Sequence, residues 1–529
     1  MFDILISGGT IIDGSGKDGY RGDLAIRGEK IAAIGNFAPQ MGRFVIPAEH
    51  LVVSPGFIDP HTHSDFTILQ DPFAESKIRQ GVTTEIAGNC GFSVFPVNNE
   101  SLPAVKDYTR FFPGEISWQW SDYQGYLQEM AKKGIACNFA SHAGHGMIRI
   151  WVKGFSGAPV QPRELNQMSQ SLRNALVQGA LGLSLGLAYA PGSFADLQEL
   201  ISLGRVAKEF PRALITVHLR DEGDQVIDSV AEMIEVAEKA GLPVHICHHK
   251  ATGVRNWGKV KNTLGLMEEA AGKGLDITCD VYPYTAANTT LVSLFPKEDL
   301  TEGIQGLMRR LASPSEKPRI ALHLRNRAEQ VGGWENIRIA TVKREENKRW
   351  EGKNVQEIGD ARKTDEASAL MDLCLEEKGA VNVVLFYVRE DDLAQVMRHP
   401  QSMFGSDGKI LKTEGPLSEG KPHPRNFGAY PRALGRYVRE RKVLTLPEAI
   451  QKMTSLPARR LFIEKRGLIQ EGYYADLTVF DPEKIRDKAT FDLPQQYPEG
   501  IPWVLVNGQV VLEKGERTQA LPGKILKRQ

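Results

Sequence analysis

Short apolar runs alternate with amphipathic segments between residues 55 and 464, and this alternation limits the possible folds more than any other feature. The apolar runs, in chain order, read GFID, VTTEIA, IACNFAS, ALGLSLG, LITVHL, PVHIC, DITCDV and SMFGS. The segment 225–240 between two of them is helix-like, with one apolar face formed by Val226, Val230, Met233, Ile234 and Ala237. Strands that alternate with helices predict parallel β/α units. Because there are eight candidate strands, we expect an α/β protein built as a closed (β/α)8 TIM-type barrel.

Both ends of the chain are rich in short strands without long helical segments. Residues 1–54 contain DILISGGTIIDG and DLAIRGEKIAAIG, and residues 465–529 contain ADLTVF and WVLVNGQVVLEKG. The pair Asn507-Gly508 is typical of a two-residue hairpin turn. We therefore expect a small β-sandwich domain formed by both termini. The barrel would occupy residues 55–464, with a charged and irregular insertion at about 295–380 before its last strand.

The composition excludes several classes of partner. Lysine plus arginine and aspartate plus glutamate both total 65, so net charge gives no case for nucleic acid or an anionic membrane. The N-terminus lacks the basic and apolar regions of a signal peptide, and no run of about 18 apolar residues predicts a membrane span. The cysteines are few and scattered, which favours a reducing compartment and predicts a cytoplasmic protein: Cys90, Cys137, Cys247, Cys279 and Cys374. The oligomeric state stays open.

Side chains that bind metals fall at the ends of the predicted strands. In barrels of this kind the functional residues lie at the carboxyl ends of the strands. His61 and His63 follow the first strand and point the same way, because side chains alternate with period two. Imidazole, thiolate and carboxylate are good zinc ligands. Such groups also follow five other strands, at Cys90, His145, His218, His248 and Asp407. Their shared position predicts a metal site.

Each of these residues also has an ordinary structural interpretation. Cys90 alone could be a small buried side chain, and Asp407, which precedes a glycine, could form a turn. His249 directly follows His248, so strand alternation turns it away from the site and predicts a structural role. His245 has the opposite parity from His248 and is expected to face the helices. Only the joint placement at strand ends favours the metal site.

Longer runs resemble a known family. VVSPGFIDPHTHSD resembles the first metal motif of the amidohydrolase superfamily. GNCGFS, GLSLGLAYAPGSFA, HLRDEGD, ICHHK, VYPYTAANTT, FGSDG and HPRNFGAYPRALGRY together resemble the N-acyl-D-amino-acid deacylases, or D-aminoacylases. The resemblance covers almost the whole chain. It implies zinc-dependent hydrolysis of the amide bond of N-acyl-D-amino acids, a small-molecule substrate, to a carboxylate and a free D-amino acid. The handedness of the substrate rests on the resemblance alone.

The resemblance also implies roles for single positions. His61 and His63 would belong to one metal position, and Cys90, His218 and His248 would form the tighter zinc site. The resemblance thus implies one tight Zn²⁺ site and leaves room for a second, weaker one. Asp407 would be the catalytic base and would also be a candidate metal ligand. Substrate would contact Lys250, Arg220, Tyr282, Tyr387 and Asn288.

Some roles stay open at this level. Lys250, Arg220 or Arg425 could pair with the substrate carboxylate. His145 could stabilise developing negative charge or support a ligand from behind. Two positions depart from the family pattern: Cys247 replaces the usual serine before the last metal histidine, and Asn288 stands where relatives often have serine. Neither change removes a ligand, but both leave the substrate preference open.

Two other functions compete with the deacylase. A cyclic-amide hydrolase, such as a dihydroorotase or hydantoinase, typically bridges two metals with a carboxylated lysine on the fourth strand. The fourth-strand segment, residues 180–192, contains no lysine, whereas Cys90 supplies an alternative ligand. A catalytically inactive metal-binding barrel should have lost ligands, and none is missing. Both observations favour the deacylase.

Overall fold

A computed structural model describes residues 1–528 of the chain. The strands of the N-terminal part are β1 (Phe2–Ile11), β2 (Tyr20–Arg27), β3 (Lys30–Gly35), β4 (Gly42–Pro47) and β5 (Val52–Pro55). The next eight are β6 (Phe57–Asp59), β7 (Val82–Ala87), β8 (Asn138–Ser141), β9 (Ala143–Gly144), β10 (Gly182–Gly186), β11 (Leu214–His218), β12 (Val244–Ile246) and β13 (Ile277–Val281). The remainder are β14 (Ala286–Thr290), β15 (Ile337–Thr341), β16 (Asn382–Phe386), β17 (Ser402–Phe404), β18 (Leu477–Phe480), β19 (Trp503–Val506), β20 (Gln509–Glu513) and β21 (Glu516–Arg517).

Helices connect most of the central strands. In the first half they are α1 (Glu75–Ile78), α2 (Leu102–Thr109), α3 (Tyr123–Lys133), α4 (His145–Lys153), α5 (Pro162–Val177), α6 (Leu197–Lys208), α7 (Val226–Ala240) and α8 (Val260–Gly272). In the second half they are α9 (Gly303–Ala312), α10 (Lys317–Val331), α11 (Val355–Arg362), α12 (Glu366–Glu376), α13 (Glu390–Arg398), α14 (Arg425–Arg432), α15 (Leu446–Met453) and α16 (Ser455–Arg460). Across residues 1–528, none of them combines the length and the apolar character that crossing a bilayer requires.

Helix α7 illustrates why the amphipathic segments fold as they do. Its apolar stripe, which includes Val226, Val230 and Met233, is buried. The helix ends at Gly241, whose φ of 69° is the left-handed conformation that commonly terminates helices. The helix predicted at 225–240 is therefore confirmed.

Two parallel sheets form the centre of the molecule. One has the order β17-β13-β12-β11-β10-β9, and the other has the order β6-β7-β8. Every strand pair within them is parallel. The strands are buried, as expected when helices cover a parallel sheet. The α/β class predicted from the sequence is confirmed.

Backbone hydrogen bonds join the two sheets at both edges. On one side the amide of Asp407 donates to the carbonyl of His61 at 2.9 Å, and the amide of His63 donates to the carbonyl of Gly408 at 2.8 Å. On the other side the amide of Leu181 donates to the carbonyl of Ser141 at 2.9 Å. The two parallel sheets are therefore hydrogen-bonded to each other on two sides.

The two ends of the chain share a single sheet of nine strands. Its order is β21-β20-β19-β18-β5-β1-β2-β3, and β4 pairs with β1. The antiparallel pair β18 and β5 joins the C-terminal strands to the N-terminal ones. Asn507 and Gly508 connect β19 to β20 with φ values of 47° and 76°. Positive φ at both positions is what a type I′ hairpin turn requires, so the predicted hairpin is confirmed.

Residues 286–386, which include the predicted insertion at about 295–380, form a folded segment. They contain the antiparallel sheet β14-β16-β15 and helices α9 to α12. The expectation of an irregular segment is therefore wrong. Its many charged residues lie on exposed helix faces, while apolar residues form a separate core that includes Leu307, Leu324, Ile339, Leu370 and Val383.

A buried lysine connects the two parallel sheets below the strand ends. Lys77 Nζ donates to Asp59 Oδ2 at 2.9 Å and to Ser406 Oγ at 2.8 Å, and lies 3.1 Å from Glu85 Oε1. The Lys77, Asp59 and Glu85 side chains are fully buried. Burial would lower the pKa of Lys77, but Asp59 and Glu85 raise it above its ordinary value. The ammonium thus compensates two carboxylates.

Replacing this lysine should strongly destabilise the fold. Lys77→Met leaves Asp59 and Glu85 buried without their cation, and breaking a buried pair in this way costs about 3–5 kcal/mol. Urea unfolding followed by circular dichroism measures the change. Lys239→Met is the control, because the ion pair of Lys239 with Glu235 is about half exposed and such pairs contribute at most about 1 kcal/mol. Equal unfolding midpoints for the two variants would contradict the proposed role of Lys77.

Candidate active site

The two histidines that follow β6 meet an aspartate that follows β17. His63 Nε2 lies 3.2 Å and His61 Nε2 lies 3.6 Å from Asp407 Oδ1. One ligand atom from each of His61, His63, Cys90 and Asp407 lies within 4.8 Å of the other three. All four side chains are buried. The structure therefore gathers residues from three strand ends into one possible metal site.

Cys90 also belongs to a second group of donors. Its Sγ lies 3.4 Å from His248 Nε2 and 3.3 Å from His61 Nε2. Cys90, His218 and His248 each offer a ligand atom, and these atoms lie within 4.8 Å of one another. The rings of His218 and His248 are 4.5 Å apart and nearly perpendicular. The two groups of donors are thus adjacent and share one sulfur.

The backbone is left-handed at three of these positions. Cys90, His248 and Asp407 have φ values of 54°, 35° and 50°. Non-glycine residues adopt such values rarely, each at a cost of about 1–3 kcal/mol, and they cluster at functional sites. Beside Cys90, Gly88 has φ 74°, and a Cβ there would lie 2.2 Å from the carbonyl oxygen of His142. The turn that presents Cys90 therefore requires glycine at position 88.

A buried carboxylate on β13 supports two of the candidate ligands. Asp280 Oδ2 lies 3.2 Å from His61 Nδ1 and 2.8 Å from His245 Nε2. Asp280 Oδ1 accepts a hydrogen bond from the amide of His248 at 2.9 Å. A carboxylate behind a ligand histidine fixes its tautomer and its ring orientation. Asp280 therefore orients His61 and holds the backbone at His248.

Burial and neighbouring charges set the protonation of the cluster. Burial lowers the pKa of His63 to about 4 and holds that of His218 well below its ordinary value. These rings are therefore neutral at pH 7, which is the form that binds metals. Burial would lower the pKa of His61, but Cys90 and Asp280 hold it well above its ordinary value. Burial raises the pKa of the Cys90 thiol. Burial and Lys250 would lower the pKa of His248, but Glu222 and Cys90 raise it to about 9. Metal binding must therefore displace protons from Cys90, His61 and His248.

The chemistry of these donors fits zinc. Within the described residues, Nδ1 of His63 and Nδ1 of His218 are buried without a hydrogen-bond partner, which is uncommon for buried polar atoms. A thiolate together with imidazoles is a ligand set typical of zinc, and catalytic zinc sites use three protein ligands plus one open position. Cys90, His218 and His248 match that requirement in type and number.

Sequence comparison places the chain in a known family. Residues 45–323 and 370–512 match the profile of the amidohydrolase family. The chain belongs to this family. An N-acyl-D-glutamate deacylase of Alcaligenes xylosoxydans xylosoxydans is 34% identical over 99% of this chain and 96% of its own. A D-aminoacylase of the same organism is 32% identical over 100% of this chain and 98% of its own. The family predicted from the sequence is confirmed.

Solved structures share the architecture of this amidohydrolase. An N-acyl-D-glutamate deacylase from Bordetella bronchiseptica, in complex with zinc and a phosphonate mimic of the tetrahedral intermediate, is 32% identical, with a TM-score of 0.84 and 99% of both chains covered. A D-aminoacylase described with a binuclear metal centre is 31% identical, with a TM-score of 0.84 and 100% of both chains covered. A D-hydantoinase from Thermus sp., 16% identical with a TM-score of 0.57 and 99% of both chains covered, shares the fold alone.

A cavity of about 230 Å³ lies beside the donors of this amidohydrolase. Lys250 lines it, and its Nζ donates to Glu222 Oε1 at 2.6 Å and lies 3.0 Å from His248 Nδ1. His248 Nδ1 also lies 3.0 Å from Glu222 Oε1. Burial would raise the pKa of Glu222, but Lys250, His218 and His248 hold it well below its ordinary value. Glu222 therefore compensates Lys250 and contacts a ligand histidine.

Further predicted substrate residues line the same cavity. Arg425 Nη1 lies 2.8 Å from Asp407 Oδ2, and its guanidinium lies 4.8 Å from the centre of the Tyr282 ring. The Tyr282 hydroxyl is buried with no hydrogen-bond partner among the described residues. Asn288 comes from the insertion, and Tyr387 directly follows it. Asn288 Nδ2 donates to the carbonyl of Val383 at 2.9 Å.

Two predicted site residues are hydrogen-bonded to other parts of the protein. Arg220 lines the cavity, but its guanidinium is occupied by Glu232 at 2.8 Å and by the carbonyls of Ser193 and Ala195, both at 3.0 Å. These contacts fix the position of the guanidinium, and substrate binding by Arg220 stays a prediction. His145 Nε2 lies 2.7 Å from Glu199 Oε1 on α6. Because its ring is directed at that helix, His145 supports no candidate ligand.

Two acidic residues of the site were missed in the sequence, and His245 was misplaced. Glu222 lies four residues after His218, and Asp280 lies in the predicted strand DITCDV. Both could have been found by applying the strand-end rule to carboxylates as well as to histidines.

His245 does not face the helices as expected, since it contacts Asp280. The direction of the His245 side chain was inferred from strand alternation relative to His248. That inference failed because the chain leaves the extended conformation before His248, whose φ is 35°. His249 Nε2 lies 2.8 Å from Thr263 Oγ1 on α8, in agreement with a structural role.

Cys90→Ala should lose zinc and activity together. Cys90 is the donor shared by both groups, and a zinc-bound thiol contributes a full negative charge. We expect zinc affinity to fall by more than the roughly 10–100-fold that loss of an outer partner causes. Metal analysis after dialysis measures it. Cys374→Ala, in the separate core of the insertion, is the control. Full zinc occupancy with normal turnover in Cys90→Ala would require a different ligand set.

Asp280→Asn should weaken zinc binding without unfolding the protein. Asparagine keeps the shape but removes the charge behind His61, and loss of such a partner lowers metal affinity about 10–100-fold. Competition with a zinc chelator measures the affinity. Asp276→Asn is the matched control, because Asp276 lies just before the same strand and pairs with Arg460. Unchanged affinity in Asp280→Asn would show that His61 does not need this carboxylate.

Proposed function

We propose that this amidohydrolase hydrolyses the amide bond of N-acyl-D-amino acids, giving a carboxylate and a free D-amino acid. The observation that carries the proposal is the pair of donor groups joined at Cys90. They lie beside a cavity lined by Lys250, Tyr282 and Arg425, which suit an anionic substrate. The full-length similarity to an N-acyl-D-glutamate deacylase and a D-aminoacylase supports the reaction class.

We infer that the metal is zinc. Cys90, His218 and His248 would hold a tight ion, and His61, His63 and Asp407 would hold a second, weaker ion. Zinc supplies polarisation of a carbonyl and activation of water at neutral pH. The relatives described with zinc and with a binuclear centre support one or two ions.

In this proposal Asp407 moves the proton. Burial would raise the pKa of Asp407, but Arg425, His61 and His63 hold it well below its ordinary value. Its carboxylate is therefore ionised at pH 7 and can accept a proton from the attacking water. The same carboxyl group then delivers the proton to the leaving nitrogen, because one positioned residue can serve first as base and then as acid.

The substrate carboxylate would bind between Lys250 and Arg425. Arginine offers a planar fork of donors, and lysine offers a point charge. The buried Tyr282 hydroxyl, which has no partner among the described residues, would donate a further hydrogen bond to the substrate. Both cations are already paired, with Glu222 and Asp407, so substrate binding adds a partner to a prearranged network.

We further propose that the two parallel sheets form one closed (β/α)8 barrel. The hydrogen bonds from Asp407 to His61 and from Leu181 to Ser141 support closure at both edges. The barrel would span residues 55–464, and residues 1–54 and 465–529 would form a β-sandwich around the apolar core that includes Ile6, Ile26 and Leu477.

A cyclic-amide hydrolase is the second candidate. The D-hydantoinase likeness concerns the fold alone, and strand β10 (GLSLG) offers no lysine for carboxylation. The deacylase is favoured because Cys90 supplies an anionic ligand in its place.

A substrate screen separates these candidates. The zinc-loaded protein is incubated with N-acetyl and N-formyl derivatives of D- and L-amino acids, with dihydroorotate and with a substituted hydantoin, and released amine or ring opening is measured. We expect turnover of the D-derivatives. Ring opening without deacylation would favour the cyclic-amide hydrolase, and no turnover by a zinc-loaded protein would favour an inactive barrel.

Asp407→Asn should abolish turnover while zinc is retained at Cys90, His218 and His248. Asparagine keeps the shape but cannot accept the proton, and loss of a general base lowers kcat by about 10²–10⁴-fold. Steady-state kinetics and metal analysis on the same sample measure both effects. Asp276→Asn serves again as the control. Near-normal kcat with zinc bound would exclude Asp407 as the base.

A further inference from the structure

Lys409 lies two residues after Asp407 and lines the same cavity. Its backbone amide donates to Asn426 Oδ1 at 2.8 Å, which fixes the start of the side chain. Its Nζ lies 5.0 Å from the centre of the Phe112 ring and 5.9 Å from that of Phe111. The ammonium therefore rests on aromatic faces beside the candidate metal ligands.

Lys409 differs from the other cations of the cavity. Lys250 pairs with Glu222 at 2.6 Å, Arg425 pairs with Asp407 at 2.8 Å and Arg220 pairs with Glu232 at 2.8 Å. Arg327 Nη1 donates to Gln330 Oε1 at 2.6 Å. In the part of the chain that the structure describes, no ion pair and no hydrogen bond occupies Lys409 Nζ.

The surroundings of Lys409 disfavour its charged form as long as no anionic group of a ligand lies beside it. Burial, Arg425 and Lys343 all disfavour the charged form of Lys409 and lower its pKa, and Asp407 is the only attractive carboxylate among its main charged neighbours. Asp407 is already paired with Arg425 and His63. A partly desolvated charge without a partner is costly. An anionic group of the substrate beside Lys409 would offset the positive charge of this region.

We propose that Lys409 binds a second carboxylate of the substrate, so that the enzyme prefers N-acyl amino acids that carry two carboxylates. This inference rests on the proposed function. The first carboxylate is the α-carboxylate assigned to Lys250 and Arg425. The second comes either from an acidic amino-acid side chain or from a dicarboxylic acyl group. The two sources share one chemistry and are separated by the choice of substrates.

The test uses four substrates and four zinc-loaded proteins. The substrates are N-acetyl-D-leucine, N-acetyl-D-aspartate, N-acetyl-D-glutamate and N-succinyl-D-leucine. The proteins are the unmodified enzyme, Lys409→Met, Lys409→Arg and the control Lys412→Met, which removes a lysine of the same loop that does not line the cavity. The readout is kcat/KM for each dicarboxylate divided by kcat/KM for N-acetyl-D-leucine. Because all four substrates use the same metal and the same Asp407, this ratio is insensitive to partial loss of zinc.

We expect the ratio to favour at least one dicarboxylate in the unmodified enzyme. It should fall by about 10- to 100-fold in Lys409→Met, the usual effect of losing a hydrogen bond between charged groups. Lys409→Arg should keep most of the preference, and Lys412→Met all of it. A preference for the aspartate or glutamate derivative assigns the second carboxylate to the side chain, and a preference for the succinyl derivative assigns it to the acyl group.

Two outcomes would contradict different proposals, and the experiment distinguishes them. If the unmodified enzyme hydrolyses N-acetyl-D-leucine and the ratio is the same with methionine at position 409, the inference about Lys409 is overturned and the deacylase function stands. If the unmodified enzyme hydrolyses none of the four substrates, the deacylase function itself is overturned, and the inference that rests on it is overturned too.

Discussion

The carboxylate of Asp280 is the contact on which the rest of the site depends. It lies on β13, beneath the candidate ligands, and takes hydrogen bonds from His61, His245 and the amide of His248. Burial would raise the pKa of Asp280, but His61 and His245 hold it well below its ordinary value. One buried negative charge therefore connects β6, β12 and β13, and it directs the Nε2 of His61 toward the sulfur of Cys90. Without this carboxylate, the hydrogen bond that holds Nδ1 of His61 in this orientation would be lost.

The left-handed backbone at Cys90, His248 and Asp407 has a physical cause in the fold. A strand that continues straight directs alternate side chains to opposite faces. To aim a side chain across the open end of a parallel sheet, the chain must turn sharply just after the strand. Local hydrogen bonds offset part of the strain, since the amide of Asp407 donates to the carbonyl of His61 and that of His248 donates to Asp280. Strain at three neighbouring ligand positions is more consistent with a functional site than with packing alone.

The sequence predicted the regular features well. Parallel β/α units, the Asn507-Gly508 hairpin and the gathering of His61, Cys90 and Asp407 follow from periodicity and from position along a strand, which are local properties. It failed where a contact depends on how distant segments pack. Arg220 faces the cavity but is held by Glu232 and two carbonyls, and no local pattern reveals that.

The misplaced residues share one physical reason. His245 was assigned by parity, which holds only while the chain stays extended, and the chain turns before His248. His145 was assigned by its position after a strand, yet it begins helix α4, and its ring is directed at Glu199 on α6. The charge-rich insertion appeared irregular, because its helices bury narrow apolar faces and expose the rest. In each case the missing information was the direction of the chain after a regular element ends.

The cavity is built by two parts of the chain with different constraints. Every candidate ligand lies at or just beyond the carboxyl end of a parallel strand, where the hydrogen-bonded sheets restrict its position. Much of the rest of the wall, including Asn288, Arg327 and Leu385, comes from the insertion, which has its own sheet and its own core. Substitutions in the insertion can therefore change the shape and charge of the cavity without moving Cys90 or His248. Lys409 belongs to the first part and lies two residues after Asp407. A change of charge at position 409 therefore acts close to the candidate catalytic residue. In our proposal, the charge of the substrate is therefore recognised by Lys409 on the strand-end part of the wall and not by the insertion.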